Sequence, residues 1–402
     1  MKSIKEADVK DKKVIVRCDF NVSVDDKGRV VDDMRIKEAM PTIEDLIKRE
    51  AKVILISHFG RPEKKKSFKS EGDFSSLKEV VSPEKRDCSL YPVYLDLKKK
   101  ISDIDFYRDC VGKRVKRKVA KMSSGSVLLL ENLRYYEDEE ENGRAFSVAL
   151  SSLADIYVNN AFSASHRDHA SIVGLPNYLP AYTGYLFERE LRFLSRIKQR
   201  VERPFVVLVG GAKITSKAKT IDFFLTEADK LLIGGKVANK VMSYRGEIDE
   251  PLTDKEKEIM KGIDFDSEKI NLPVDVVVSK DEGKRDRRTI DVKSVKKGEV
   301  FDIGSKTISE YSEIISQAKT ILWAGPMGFF EHEKFEEGTK KIGEAVVDSS
   351  ALKIIGGGDT GFAMKKFGLR EKIDHISLGG GAMLNFLSDK EMPGVKALKE
   401  KK

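Results

Sequence analysis

The sequence predicts an α/β protein of two Rossmann-like three-layer domains with parallel sheets, joined by an interdomain helix. Three observations predict it. Short β-branched apolar runs recur along the chain, each followed by a glycine or polar turn and then a helical stretch. These runs are continuous rather than alternating, as expected of strands covered on both faces. The length of 402 residues also exceeds the usual reach of one hydrophobic core.

In the first half the strand-like runs are Val14–Val16, Val53–Ile56, Val127–Leu130 and Ile156–Val158. In the second they are Phe205–Val209, Leu231–Ile233, Val274–Val278, Ile321–Trp323, Lys353–Ile355 and His375–Leu378. After Arg35 the residues Ile36, Met40, Ile43, Leu46 and Ile47 follow helical spacing. Pro41 is expected to bend that helix or restart its first turn. Tyr185, Leu186, Leu191 and Leu194 repeat at helical intervals, so Tyr182–Arg200 is the expected connector. This sets the domains at 1–181 and 182–391. Glu63–Cys88 is charged and aperiodic and reads as a surface insertion.

Hydrophobic residues make up 40% and charged residues 35%, a balance that fits a soluble globular protein. No apolar run approaches the roughly 18–20 residues of a membrane helix, and the N-terminus has no apolar signal segment. The three cysteines, Cys18, Cys88 and Cys110, are an odd number, far apart and in no metal spacing, so a reducing cytoplasm is the expected compartment. The net charge of +8 is placed largely in Lys64–Lys69 and the tail Lys396–Lys402. Neither stretch interleaves aromatics beyond Phe68, so no specific nucleic-acid partner is expected.

Ligands of open parallel sheets bind beyond the carboxyl ends of the strands, and there the halves differ. The first half carries Asp19 and Asn21 in RCDFN, His58 and Arg61 in SHFGRP, Arg134 in ENLRYY, and His166 and Arg167 in SASHR. Arg35 opens the first helix. Singly, each has the ordinary reading of a surface ion pair. Together they suit a small polyanion, because guanidinium forks match phosphate and carboxylate, while Asp19 and Asn21 could bind hydroxyls. In the second half the strand ends are glycines: Gly210–Lys213, Gly234–Lys236, Ala324–Gly328, Gly356–Thr360 and Gly379–Ala382. Glycine admits close approach of a ligand to the backbone, and the helix that follows offers free N–H groups to phosphate. Lys213 and Lys217 stand one helical turn apart, and Asp359 is a natural place for Mg²⁺.

Several motifs are mimics. Gly356, Gly358 and Gly361 fit a dinucleotide fingerprint, but Asp374 precedes its strand instead of closing it. No Walker sequence is present. His166-Arg167-Asp168 lacks the asparagine and the partner motifs of protein kinases. His166 and His169 have ligand-like spacing without a third ligand near in sequence, so a structural role is expected of them rather than zinc.

The ordered motifs VRCDFNVSV, DDMRIKEAMPTI, VILISHFGRP, VLLLENLRYYEDEE, DIYVNNAFSASHRDHAS, PFVVLVGGAKITSK, GPMGFFE, IIGGGDT and HISLGGGAMLNFL resemble the phosphoglycerate kinase family over nearly the whole chain. That resemblance implies a monomeric, cytoplasmic, two-domain glycolytic enzyme. It would interconvert 1,3-bisphosphoglycerate and ADP with 3-phosphoglycerate and ATP, using Mg²⁺, by direct in-line transfer after domain closure. It also implies that the tail from about Met392 packs back on the first domain. By motif, Asp19, Phe20, Asn21, Arg35, His58, Phe59, Gly60, Arg61, Arg134, His166 and Arg167 would bind phosphoglycerate. Lys213, Lys217, Gly234, Gly235, Glu331, Gly357, Gly358, Asp359 and Thr360 would bind nucleotide. Arg35, Lys213, Lys217, Gly358 and Gly380 would be catalytic, with Asp359 on the metal. The chain departs from the family at Ala324, Lys236, Ser305, Asn160, Ser163 and Ala164, positions that bear on nucleotide affinity and base preference. The rival readings are a nicotinamide-dependent dehydrogenase and an inactive anion- or nucleic-acid-binding relative. A coupled assay with 3-phosphoglycerate and ATP separates them.

Overall fold

The computed structural model describes residues 1–63, 67–68, 87–280, 286–295, 299–388 and 390–399. The chain divides into two compact units, Met1–Arg192 with Asp389–Lys402, and Phe193–Ser388. The division falls inside the expected connecting helix rather than at its start.

The first unit runs β1 (Lys13–Arg17), α1 (Met34–Lys48), β2 (Lys52–Ile56), α2 (Tyr91–Leu97), β3 (Ile104–Tyr107), α3 (Lys113–Ala120), β4 (Val127–Leu130), α4 (Glu137–Glu140), α5 (Arg144–Ser151), β5 (Ile156–Asn159), β6 (Ala181–Thr183) and the first half of α6 (Tyr185–Arg200), whose second half belongs to the second unit. Its six strands lie in the order β3-β4-β2-β1-β5-β6, and all pair in parallel. The four apolar runs of this half form β1, β2, β4 and β5, each within a residue or two of its expected bounds. The edge strands β3 and β6 are additions to that expectation. IDFY is short and sits among polar residues, and AYT lies at the start of the expected connecting helix. Both lack the continuous apolar run of a strand buried on two faces. Helix α1 continues unbroken through Pro41. Pro41 lies on the exposed side, where the carbonyl deprived of its N–H partner can be solvated.

The second unit runs β7 (Phe205–Val209), α7 (Ile214–Glu227), β8 (Lys230–Ile233), α8 (Gly235–Tyr244), α9 (Asp254–Met260), β9 (Ile270–Asn271), β10 (Asp275–Ser279), β11 (Arg288–Asp291), β12 (Glu299–Ile303), α10 (Ser305–Gln317), β13 (Thr320–Ala324), α11 (Glu337–Asp348), β14 (Leu352–Gly356), α12 (Gly358–Lys366), β15 (His375–Ser377) and α13 (Gly381–Leu387). Its main sheet has the order β15-β14-β13-β7-β8-β9. The Val274–Val278 run is a strand, but it belongs to a separate antiparallel sheet, β11-β10-β12. Its apolar composition reflects burial and carries no information about direction.

The C-terminal helix α14 (Pro393–Lys399) belongs to the first unit, where the Gly394 N–H donates to the Ser165 carbonyl at 2.9 Å. Most of the Glu63–Cys88 insertion, with Lys64–Lys66 and Lys69, lies outside the described residues, as do Lys401 and Lys402. Phe68 is described, and it is no loop-tip residue. It is 9% exposed, meets Tyr136 and Phe146 edge-on at 6.2 and 6.1 Å, and donates its N–H to Asp138.

Candidate active site

In the first unit β4, β2, β1 and β5 are neighbours, so the loops leaving their carboxyl ends share one edge. The chain order reverses between β1 and β5, the position where open α/β sheets hold ligands. Asp19, just beyond β1, is 8% exposed and heavily partnered. Oδ1 accepts the Asn21 N–H at 3.1 Å, and Oδ2 accepts from Arg35 at the head of α1 and from Ser163 Oγ. Burial alone would raise this carboxyl, but the Arg35 guanidinium, the Ser163 hydroxyl and Arg17 outweigh it and hold Asp19 ionised well below the usual range.

The other residues of this edge arrive from adjacent strands. After β2, Gly60 donates its N–H to Asn21 Oδ1 at 2.8 Å and its carbonyl accepts Arg134 Nη1 at 2.8 Å, which ties three loops together. Gly60 adopts a φ of +55°, which favours glycine there. Arg61 is exposed and has no ion pair among the described residues. Arg167 stands beside His166, its Nε 3.4 Å from His166 Nε2. Arg17, Arg61 and Arg134 all bear on Arg167 electrostatically, so the arginines form one cationic cluster with Asp19, Glu139 and Glu140 as its acids. Phe20 and Phe59 are core residues at this edge. Phe20 is fully buried, and both backbone groups of Phe59 are taken by the Asn132 amide, so their side chains shape the loops rather than face a ligand.

In the second unit five glycine turns leave adjacent strands, and they are of two kinds. Gly210, Gly234, Gly235 and Gly325 are glycines because the turns pack on one another, and Gly211 because of its φ of +95°. The Gly211 N–H donates to the Pro326 carbonyl at 2.8 Å and the Gly235 N–H to the Met327 carbonyl at 2.7 Å. A Cβ on Gly235, whose φ is +58°, would lie 2.9 Å from both Gly211 N and Pro326 O. By contrast, a Cβ on Gly357, Gly358, Gly380 or Gly381 would meet nothing within 4 Å. Open space therefore lies over the N-termini of α12 and α13, where unpaired N–H groups and the positive helix end face outward. Gly358→Ala is expected to leave the melting temperature unchanged while raising the nucleotide KM about tenfold or more. Gly235→Ala is expected to lower the melting temperature. Thermal melts and steady-state kinetics on the two variants check the pair.

Lys213 caps α7 and is exposed, and Lys217 follows one turn later. Burial lowers the Lys217 ammonium below its usual range, opposed by the Asp359 carboxylate. Asp359 is exposed in the first turn of α12. Among the described residues no three His, Cys, Asp or Glu side chains cluster as a metal site. A lone carboxylate at a phosphate cradle suits Mg²⁺ held mainly by phosphate oxygens and water. Thr360 is buried and its hydroxyl accepts the Gly325 N–H at 2.8 Å, so what it can offer a phosphate is its backbone N–H. Glu331 is exposed on the loop after β13. That loop is fastened by Thr339, which accepts the Met327 and Gly328 N–H groups, and by Lys366, which donates to the Phe330 carbonyl.

Asp302 supports the same loop from beneath. It accepts the Gly338 N–H at 2.7 Å and packs against Gly328. Burial pushes its carboxyl up from the ordinary 3.8 to about 7. A carboxyl whose pKa is raised by folding holds its proton more tightly in the native state. Its contribution to stability is therefore full below the ordinary range and is lost as the pH rises through about 7. The unfolding free energy in urea is expected to fall between about pH 4 and about pH 7, and Asp302→Asn is expected to flatten that fall.

Signals for Arg17, Ser163 and Thr339 are weak in the sequence, because each acts by touching another site residue rather than by standing in a recognisable turn. The comparisons with known proteins agree on one family. The phosphoglycerate kinase family model matches residues 4–390. A phosphoglycerate kinase of Pseudothermotoga lettingae is 40% identical, covering 100% of this chain and 99% of the relative. That of Coprothermobacter proteolyticus is 38% identical, covering 99% and 98%. The solved phosphoglycerate kinase of Pyrococcus horikoshii OT3 aligns with a TM-score of 0.85 at 30% identity, covering 99% and 98%. That of Coxiella burnetii aligns at 0.79 and 31%, with the same coverage.

Proposed function

The chain belongs to the phosphoglycerate kinase family, and we propose that its two ligand sites divide by unit, the polyanion site in the first and the nucleotide site in the second. The reaction is the reversible transfer of a phosphoryl group between 1,3-bisphosphoglycerate and ADP, giving 3-phosphoglycerate and ATP. The observation that carries the division is the contrast between an edge crowded with arginines and an edge of open helix N-termini.

In this reading Arg61, Arg134 and Arg167 take the phosphate of 3-phosphoglycerate by guanidinium forks. Asn21, His58 and His166 meet its hydroxyl and carboxylate, and Asp19 organises them. The backbone N–H groups of Gly358, Asp359 and Thr360, with Lys213 and Lys217, hold the nucleotide phosphates, whereas the Gly357 N–H already donates to the Ser377 carbonyl at 3.2 Å. Glu331, exposed on its loop, would accept a sugar hydroxyl of the nucleotide. Mg²⁺, held by Asp359 and the phosphates, would neutralise charge on the transferring group. Arg35 and Lys217, with the N-termini of α12 and α13 at Gly358 and Gly380, stabilise the dispersed charge in flight. Direct transfer needs the two ligands to meet, so turnover follows closure of the units around them. That closure reads out as a smaller radius of gyration with both ligands bound than with either alone. The enzyme acts as a monomer in the cytoplasm.

A coupled assay tests the proposal. ATP consumption that depends on both 3-phosphoglycerate and Mg²⁺ supports it. Turnover that ignores 3-phosphoglycerate, or binding of NADH, would overturn it.

A further inference from the structure

Arg17 ends β1 with no exposed surface, so it has no route to a ligand. Its donors all point inward. Nε donates to Ser171 Oγ at 2.8 Å, Nη1 donates to the Cys18 carbonyl, and Nη2 lies 3.2 Å from His58 Nδ1. Ser171 passes the contact on, donating to the wholly buried Glu139 carboxylate at 2.6 Å. The charge of Arg17 is thus linked to Glu139 through a hydroxyl rather than by a direct ion pair.

A guanidinium has donors and no acceptor, so in the Arg17–His58 contact the ring nitrogen must accept. Nδ1 then carries a lone pair and the imidazole proton sits on Nε2. Asp19 is no alternative partner for Nδ1. It is 4.0 Å away, and its oxygens are engaged by Arg35, Ser163 and the Asn21 N–H. Nε2 makes no hydrogen bond among the described residues.

Resting on the reading of this edge as the phosphoglycerate site, we propose that Arg17 is a positioning residue that holds His58 as its neutral Nε2–H tautomer, presenting substrate with an oriented hydrogen-bond donor. The groups that face His58 are Asp19, Arg17, Arg134 and Arg167. Burial and the three arginines keep the ring neutral, and Asp19 alone opposes them. An arriving anion would draw a proton onto an ordinary histidine. Here the second proton would have to enter at Nδ1, against an Arg17 N–H. The arginines therefore meet the negative charge, while His58 supplies direction.

The test is the ¹⁵N spectrum of the imidazole nitrogens in the full-length protein, free and saturated with 3-phosphoglycerate, from about pH 6 to about pH 8. The chain has five histidines, and loss of signals in His58→Gln assigns the ring. The expected result is a neutral Nε2–H pattern that does not titrate in either state, with Nε2 shifted by substrate. In the charge-compensated variant R17M/E139Q the ring is expected to lose its fixed tautomer, populating Nδ1–H as well as Nε2–H, while burial, Arg134 and Arg167 still disfavour the cation. Its KM for 3-phosphoglycerate is expected to rise about tenfold with the nucleotide KM unchanged. A cationic or Nδ1–H ring in the unaltered protein overturns the proposal, and those spectra decide it even where the double variant fails to fold. The expected tautomer with no substrate-induced shift would instead refute the placement of phosphoglycerate at this edge.

Discussion

Replacing Arg35 by alanine lowers kcat by roughly 10³–10⁵, with a much smaller change in the KM for 3-phosphoglycerate. Such a loss corresponds to about 4–7 kcal/mol of transition-state stabilisation. An arginine that met only the bound substrate would raise KM instead, so the split between the two constants identifies its role. Arg35 heads α1 and is a quarter exposed, with Asp19 as its partner. Alanine also leaves the buried Asp19 carboxylate with fewer counter-charges. Arg35→Lys separates the two effects, since it restores a cation beside Asp19 without the planar fork. Recovered substrate affinity with kcat still depressed assigns Arg35 to the transition state. A loss of less than tenfold in the alanine variant removes it from the catalytic group.

Lys217→Ala follows, with kcat reduced by about 10²–10³, the range found when one preorganised donor to developing charge is removed. Lys217 is more deeply set than Lys213, and the charge that acts on it is the Asp359 carboxylate rather than a structural acid. It is thus held at the cradle without being neutralised by the fold. Lys213, exposed at the head of α7, is expected to act chiefly on nucleotide KM. Near-normal kcat in the Lys217 variant would show that the phosphoryl contact lies elsewhere.

Central strands are legible from sequence because burial on both faces leaves a continuous apolar signature, as in Val127–Leu130 and Phe205–Val209. Edge strands such as Ile104–Tyr107 carry no such signature. Strand direction is likewise invisible, which is why Val274–Val278 reads as part of a parallel sheet when it pairs antiparallel. The charged residues proposed for the site are legible by their position beyond strand ends. The glycines read too uniformly. Composition does not tell a glycine demanded by a neighbouring backbone, such as Gly235 against Gly211 and Pro326, from one that leaves room for a ligand, such as Gly358. Phe20 and Phe59 enter the expected phosphoglycerate set through the motifs they share with charged residues, while their side chains belong to the core. The buried layer of Arg17, Ser171 and Glu139 stays hidden in the sequence. Arg17 and Ser171 are 154 positions apart and Ser171 and Glu139 are 32 apart, so they meet only through tertiary packing.

Catalysis by a single direct transfer between the two ligands leaves no place for a phosphoenzyme. The stereochemical course at phosphorus distinguishes the two routes, using ATP made chiral at the γ-phosphoryl with oxygen isotopes and 3-phosphoglycerate as acceptor. One in-line displacement inverts the configuration, and two successive displacements restore it. Inversion is the expected result. Retention of configuration would contradict direct transfer and would require a nucleophilic side chain between donor and acceptor.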